Sequence, residues 1–387
     1  VADKTASDWL DIVWASFENA FVNAQLYEAL TLWSNCEQVL GNQEKAEHYA
    51  TVAARLKETF NKPIEAGGFW SPAKQQYVYW RDKDGSVHGD NLVTPVNFAA
   101  IAFGICDDPK RIAAILDQIE NRTTAERLFH WPLCFDSFKR AEVSDGNWPF
   151  PKYENGDIFP TWGYLGIRAY AKYNKSIALK YIHKLLEQYN KDGLSSQRYN
   201  RLSQTGEGDD VLAGICTSIT ALYRDIYGIR PKWNRMGLEP NMDVSLNGTA
   251  FSYKLRGVDY HLELSVDDYF MKSQGFSIRC KQGFGAEKVE NALIVYPHNR
   301  DDQQVAITET NDQPIDLEIE QWQGGTLSWK ILSRGKYRFA LSGLQSGARY
   351  QLWINGKRNG VISVKDGLLS ITYSSNTATK FLLKKLS

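Results

Sequence analysis

The chain has 387 residues, more than one ordinary hydrophobic core holds, so two domains are expected. Its 45 basic and 45 acidic side chains cancel, which argues against a nucleic acid or an anionic membrane surface as the main partner. No apolar run reaches the ~18 residues of a membrane-spanning helix, and the five cysteines form no CxxC or zinc spacing.

After the opening "VADKTASDWLD", residues 17–60 read as two helices. Val22, Leu26, Leu30, Trp33, Cys36 and Leu40 recur at helical spacing, "LGN" ends the run, and Ala46, Tyr49, Ala53, Leu56 and Phe60 form the next stripe. The loop "GGFWSPAKQQYVYWRDKDGSVHGD" carries a hairpin turn at Asp84–Gly85. A second helix pair is expected at 93–105 and 109–120, and a third at 162–173 and 176–190, separated by a long aromatic loop. The loop "DGLSSQRYNRLSQTGEGDD" then leads to a last helix beginning near Val211, with Leu212, Ile215, Ile219, Leu222 and Ile226 on one face. Short turns within pairs make antiparallel hairpins, and the long loops between pairs should gather at one end, where a ligand site belongs.

From about residue 240 the period becomes two. "FSYKLRG", "YHLELSV", "ALIVYP", "IDLEIEQW", "KYRFALSG" and "ARYQLWI" read as strands, with hairpin turns at Asn355–Gly356 and Asp366–Gly367. "GFGAEK" reads as a glycine-rich turn between strands. The expected organisation is a helical-hairpin domain over 1–234 and an antiparallel β-sandwich over 235–387.

Four stretches carry a resemblance. They are "SDWLD" with the "NAQLYEALTLWSNCEQVLGNQEKAEHYATVAARLKETFN" helices, "FWSPAKQQYVYWRDKDG…NLVTPVNFAAIAFGI", "WPFPKYENGDIFPTWGYLGIRAYAKY" and "QTGEGDDVLAGICTSITALYRDIYGI". In order and spacing they resemble the six-hairpin glycosidases, most closely the debranching-type amylo-α-1,6-glucosidases and the α-L-rhamnosidases, over roughly residues 8–230. The resemblance implies an (α/α)6-barrel type of helical toroid. A closed ring of six hairpins needs twelve helices, and about seven are visible. The chain is therefore expected to hold the second half of a barrel, completed by an N-terminal segment or a second chain.

The resemblance implies an inverting, exo-acting glycoside hydrolase of an oligosaccharide, in an exported setting. Inversion needs a protonated carboxylic acid and a water-holding carboxylate roughly 6.5–9.5 Å apart. By motif, Asp11 of the W-x-D stretch is the general acid and Glu207 the general base, with Asp8 and Glu154 as their competitors. Read from residues alone, Asp11 equally suits a helix cap. Asp209 or Asp210 suits the N-cap of the last helix, which leaves Glu207 free. Trp9, His88, His130, Trp131, Trp148, Tyr153, Asn155, Trp162 and Arg198 are expected to contact substrate, because flat aromatic faces and polar tips suit sugar rings. Arg198 and Arg201 also suit an ion pair with Glu207 or Asp209, or an acidic sugar such as a uronate. The group Asp82, Asp84, His88 and Asp90 reads as a solvated hairpin tip more than a cation site. No P-loop, no GxGxxG after a strand and no GxSxG elbow occurs, and no cofactor or metal is expected. The same fold also hosts glycoside phosphorylases, and a carbohydrate-binding or assembly subunit is the reading from another class.

Overall fold

Alternate helices differ in how much of their surface is apolar, and that difference sorts them into two layers. The computed structural model describes residues 2–3, 8–193, 196–211, 214–232, 235–281, 283–290, 292–297, 303–309, 314–323 and 325–386. They divide into two units, Val1–Leu222 and Tyr223–Ser387.

The first unit contains seven helices among the described residues. They are α1 (Ala20–Val39), α2 (Gln43–Phe60), α3 (Thr94–Ala102), α4 (Pro109–Ala125), α5 (Gly163–Tyr173), α6 (Lys175–Asp192) and α7 (Gly214–Ala221). Every residue of α3 is buried, as befits a helix that is apolar all round. By contrast α2 buries Ala46, Ala53 and Phe60, and α4 buries a stripe of Ile115, Leu116, Ile119 and Thr123. Helix α3 packs on α1 and α5, and α5 packs on α7, so the odd-numbered helices form one layer. The second helix of each hairpin covers it, α2 on α1 and α6 on α5. This is part of a helical toroid, as the resemblance implies. Helix starts follow local chemistry: Asn19 accepts from the Val22 amide, Asp108 caps α4 ahead of Pro109, and Asn174 caps α6.

Small strands tie the loops at the helix ends. They are β1 (Phe17–Asn19), β2 (Trp70–Ser71), β3 (Gln76–Tyr77), β4 (Trp80–Arg81), β5 (Val87–His88), β6 (Ser196–Tyr199) and β7 (Gly206–Val211). Strands β4 and β5 form the hairpin expected around Asp84–Gly85. The "GEGDD" stretch is strand β7, paired antiparallel with β6, and does not cap a helix. Helix α7 begins at Gly214 instead, and the side chains of Asp209 and Asp210 lie outside the described residues.

The second unit is a β-sandwich of a seven-stranded and a nine-stranded sheet among the described residues. Inward side chains such as Leu262, Tyr269, Ile278, Val295, Trp329, Phe339 and Phe381 fill its core. Most of "GFGAEK", residues 283–288 and read from the sequence as a turn, lies in the strand Phe284–Val289 of the seven-stranded sheet. Ile229–Lys232 and Arg235–Leu238 belong to the same sheet. The turns at Asn355–Gly356 and Asp366–Gly367 have positive φ at both positions, the geometry that matches strand twist in a two-residue hairpin.

Candidate active site

Two segments far apart in sequence meet in the first unit. The Ser144 amide donates to Ile12 O at 3.0 Å, the Trp14 amide to Glu142 O at 2.8 Å, and Asn147 Nδ2 to Ile12 O at 2.9 Å. That pairing sets Asp11 against the loop that carries Glu154, and the Ile12 amide donates to Glu154 Oε2 at 3.3 Å. The loop is held by a tight turn, with reciprocal backbone bonds between Lys152 and Asn155. Gly156 sits at φ +113, and a Cβ there would lie 2.7 Å from the Phe150 ring, so this position requires glycine.

Three carboxyl groups interact here. Glu154 is 3% exposed, and burial pushes its pKa up to about 8; Asp11, which shares a hydrogen bond with it, and Asp8 push the same way. The Ile12 amide opposes the shift. Glu154 thus keeps its proton at neutral pH. Asp11 itself is exposed. Asp8 is anchored by three donors: Leu10 N at 3.0 Å, Asn19 Nδ2 at 2.6 Å and Tyr79 OH at 2.5 Å. Burial raises its pKa against those three bonds, and Asp11 adds to the rise.

The β6–β7 hairpin supplies a second arm. Arg198 and Glu207 are directly opposite across the two strands, and Arg198 Nη2 lies 2.5 Å from Glu207 Oε2. The other guanidinium nitrogen, Nη1, donates at 2.5 Å to Asp157, whose side chain is fully buried. Asp157 also accepts from the Tyr153 amide at 2.7 Å and the Arg201 amide at 3.1 Å. The Arg198 guanidinium stands 5.3 Å from the centre of the Tyr153 ring, within cation–π range. Ile158 and Tyr199 exchange backbone bonds of 2.9 and 2.7 Å, which docks the hairpin on the Glu154 loop.

Aromatic rings surround these groups. Trp9 packs edge-on to Trp162 at 4.4 Å and to Phe159 at 5.3 Å, and Tyr153 meets Phe159 at 5.5 Å. Asp8, Trp9, Leu10, Phe21, Tyr79 and Trp162 line a recess of about 10 Å³, room for about one water. A more open cleft of about 330 Å³ is lined by Arg127, Phe129, Lys184, Glu187 and Lys191 and includes none of these carboxylates.

The structure therefore brings together Asp8, Trp9, Asp11, Tyr153, Glu154 and Trp162, with Arg198 and Glu207 joined to Tyr153 through the hairpin. Other residues expected to contact substrate have different surroundings. His88 lies flat on Trp80, with Nδ1 2.7 Å from Glu142 and Nε2 3.2 Å from Asp82, so it ties loops together. His130 is buried, and burial lowers its pKa to about 3, weakly opposed by the Trp131 backbone. Trp131 stacks on Tyr170 at 5.4 Å in the helical core. Asn155 is fully buried, accepting from the Phe138 amide at 3.0 Å and donating to Ser137 Oγ at 3.3 Å. Trp148 is 36% exposed, with Arg140 over its ring. Asp157 was not singled out from the sequence, although it completes "YENGD". Among the described residues, no group of three or more His, Cys, Asp or Glu is placed to hold a metal ion.

No protein-family model matches the chain, and no curated protein matches it. Solved structures do. The GH63 mannosylglycerate hydrolase from Thermus thermophilus, in complex with Tris, is 15% identical over 53% of this chain and 44% of that chain, with a TM-score of 0.39. Its complex with Tris and D-glycerate is 14% identical over 53% and 45%, with a TM-score of 0.41. A sialidase is 13% identical over 94% of this chain and 26% of its own, with a TM-score of 0.46. The chain thus spans less than half the length of the hydrolase chains it matches. At these identities and TM-scores the likeness carries no conclusion for this chain.

Proposed function

We propose that the chain carries the acid and base of an inverting, exo-acting glycoside hydrolase. The observation that carries this reading is the Glu154–Asp11 pair, a buried carboxyl that holds a proton at neutral pH beside an exposed carboxylate. An acid with that proton affinity suits donation near neutrality. Glu154 is too buried to meet a leaving group, so the exposed Asp11 beside it takes the role of general acid. A hydrogen-bonded pair is closer than the ~5 Å of a retaining pair, so these two do not flank one glycosidic bond. Protonated Glu154 also cannot serve as the base. Glu207 takes that role, removing a proton from the water that attacks the anomeric carbon. Trp9, Trp162 and Tyr153 supply the flat faces for a sugar ring.

The layer α1, α3, α5 and α7 is part of a ring, and the remaining hairpins come from another part of the protein or from a second chain. The test uses a panel of 4-nitrophenyl α- and β-glycosides and reducing oligosaccharides. Asp11→Asn and Glu207→Gln should each abolish release while substrate still binds, and proton NMR should show the product anomer inverted. Turnover that requires added phosphate, or an absorbing unsaturated product, would replace hydrolysis with phosphorolysis or elimination.

A further inference from the structure

Glu207 stands on a two-stranded hairpin that is largely at the surface, a poor platform for a group that must hold a water within a few tenths of an ångström. The anchor lies in the opposite loop. Asp157 has no exposed surface, and three donors from three places converge on it: the Tyr153 amide, the Arg201 amide and Arg198 Nη1. Arg198 spends its other terminal nitrogen on Glu207. A planar guanidinium with both ends engaged is a fixed fork, far stiffer than a lysine would be. Its face is closed by the Tyr153 ring at 5.3 Å. Arg201, next but two along the chain, is 5% exposed and pairs with Glu126 while donating to Cys134 O and Phe135 O. The turn end of the hairpin is therefore pinned to the core at two arginines.

We propose that Asp157 and Arg198 are the positioning residues of this site: a buried carboxylate holds a guanidinium, which holds the Glu207 carboxylate toward the Tyr153 side of the Glu154 loop. The proposal rests on Glu207 as the base for its catalytic meaning, but the clamp itself is physical and testable without a substrate. The Asp157–Arg198–Glu207 line alternates charge, and the same turn that carries Glu154 carries Asp157. Acid and base are thus referred to one rigid turn. The clamp also commits both terminal guanidinium nitrogens, which leaves Arg198 unsuited to binding an acidic sugar.

The test is carboxyl labelling with a water-soluble carbodiimide and glycine ethyl ester, read peptide by peptide by mass spectrometry. In the wild-type protein Glu207 should label slowly. In Arg198→Gln and in Asp157→Asn it should label at least several-fold faster, with Arg198→Lys between, while Asp90, on a separate exposed loop, keeps its rate. Asp157→Asn can disturb folding because the group is buried, so Arg198→Gln, at a partly exposed position, is the decisive variant. Equal Glu207 labelling in wild type and Arg198→Gln overturns the clamp. With an active glycoside in hand, Arg198→Gln should lower kcat at least tenfold with KM within about twofold, and Arg198→Lys should restore part of it. Loss of KM alone overturns the positioning role. Full turnover by Glu207→Gln would instead sink the base assignment, and the labelling result would stand apart from it.

Discussion

Replacing Glu154 by Gln should change how the stability of the first unit depends on pH. The amide keeps an oxygen for the Ile12 N–H and offers a donor to Asp11, so it copies the protonated acid without its charge. In the folded chain burial and two neighbouring carboxylates raise Glu154 from 4.5 to about 8. A carboxyl that binds its proton more tightly when folded contributes fully below its unfolded value, and the contribution is lost as pH rises through the folded one. Each pH unit in that window is worth about 1.4 kcal/mol, so the interval amounts to at most roughly 5 kcal/mol. Urea unfolding followed by tryptophan fluorescence at pH 5, 6.5 and 8.5 reads it. The wild-type midpoint should fall steadily from pH 5 to 8.5. The variant should match it at pH 5 and exceed it increasingly above. Asp8 is raised in the same sense and should leave a smaller residual slope in both. Parallel pH profiles for the two proteins would refute the buried, proton-holding state of Glu154.

Three further outcomes are expected. Gly156→Ala places a methyl 2.7 Å from the Phe150 ring at φ +113, and should cost about 1–3 kcal/mol in chemical unfolding and reduce turnover by displacing Glu154. Arg201→Ala takes the guanidinium donor from Cys134 O, while Phe135 O keeps Arg122 Nη2, and should lower stability by about 1–3 kcal/mol, seen as a drop in melting temperature. His130, lowered to about 3, should show imidazole NMR shifts that stay constant from pH 8 down to 5; its stabilising effect is present above pH 6.5 and lost as pH falls toward 3. A His130 signal that titrates near 6.5 would contradict its burial.

The helices and most of the strands were legible because burial imposes a period, and Ile115, Leu116 and Ile119 or the alternating Tyr260, Leu262 and Leu264 state it directly. The aromatic loops were harder. His130 and Trp131 read as surface groups, but the ring faces of Tyr170 and Tyr181 enclose them, contacts no local pattern announces. "GEGDD" looked like a cap because acids precede an apolar run. Cross-strand pairing with Ser196–Tyr199 outweighed that local preference. Asp157 escaped notice for the same reason: its partners Arg198 and Arg201 lie 41 and 44 residues away. Glu154 was visible as a carboxylate in an aromatic loop, but its protonation depends first on burial and then on Asp11, a neighbour only in space.

The bond between the Ile12 amide and Glu154 spans 142 residues. Hairpins such as α1–α2 close short loops and form early, whereas a contact of that span forms after the segments between it have condensed. The proton on Glu154 is thus a property of the finished fold: until the Ile12 and Glu154 segments have met, the burial that raises this acid is missing.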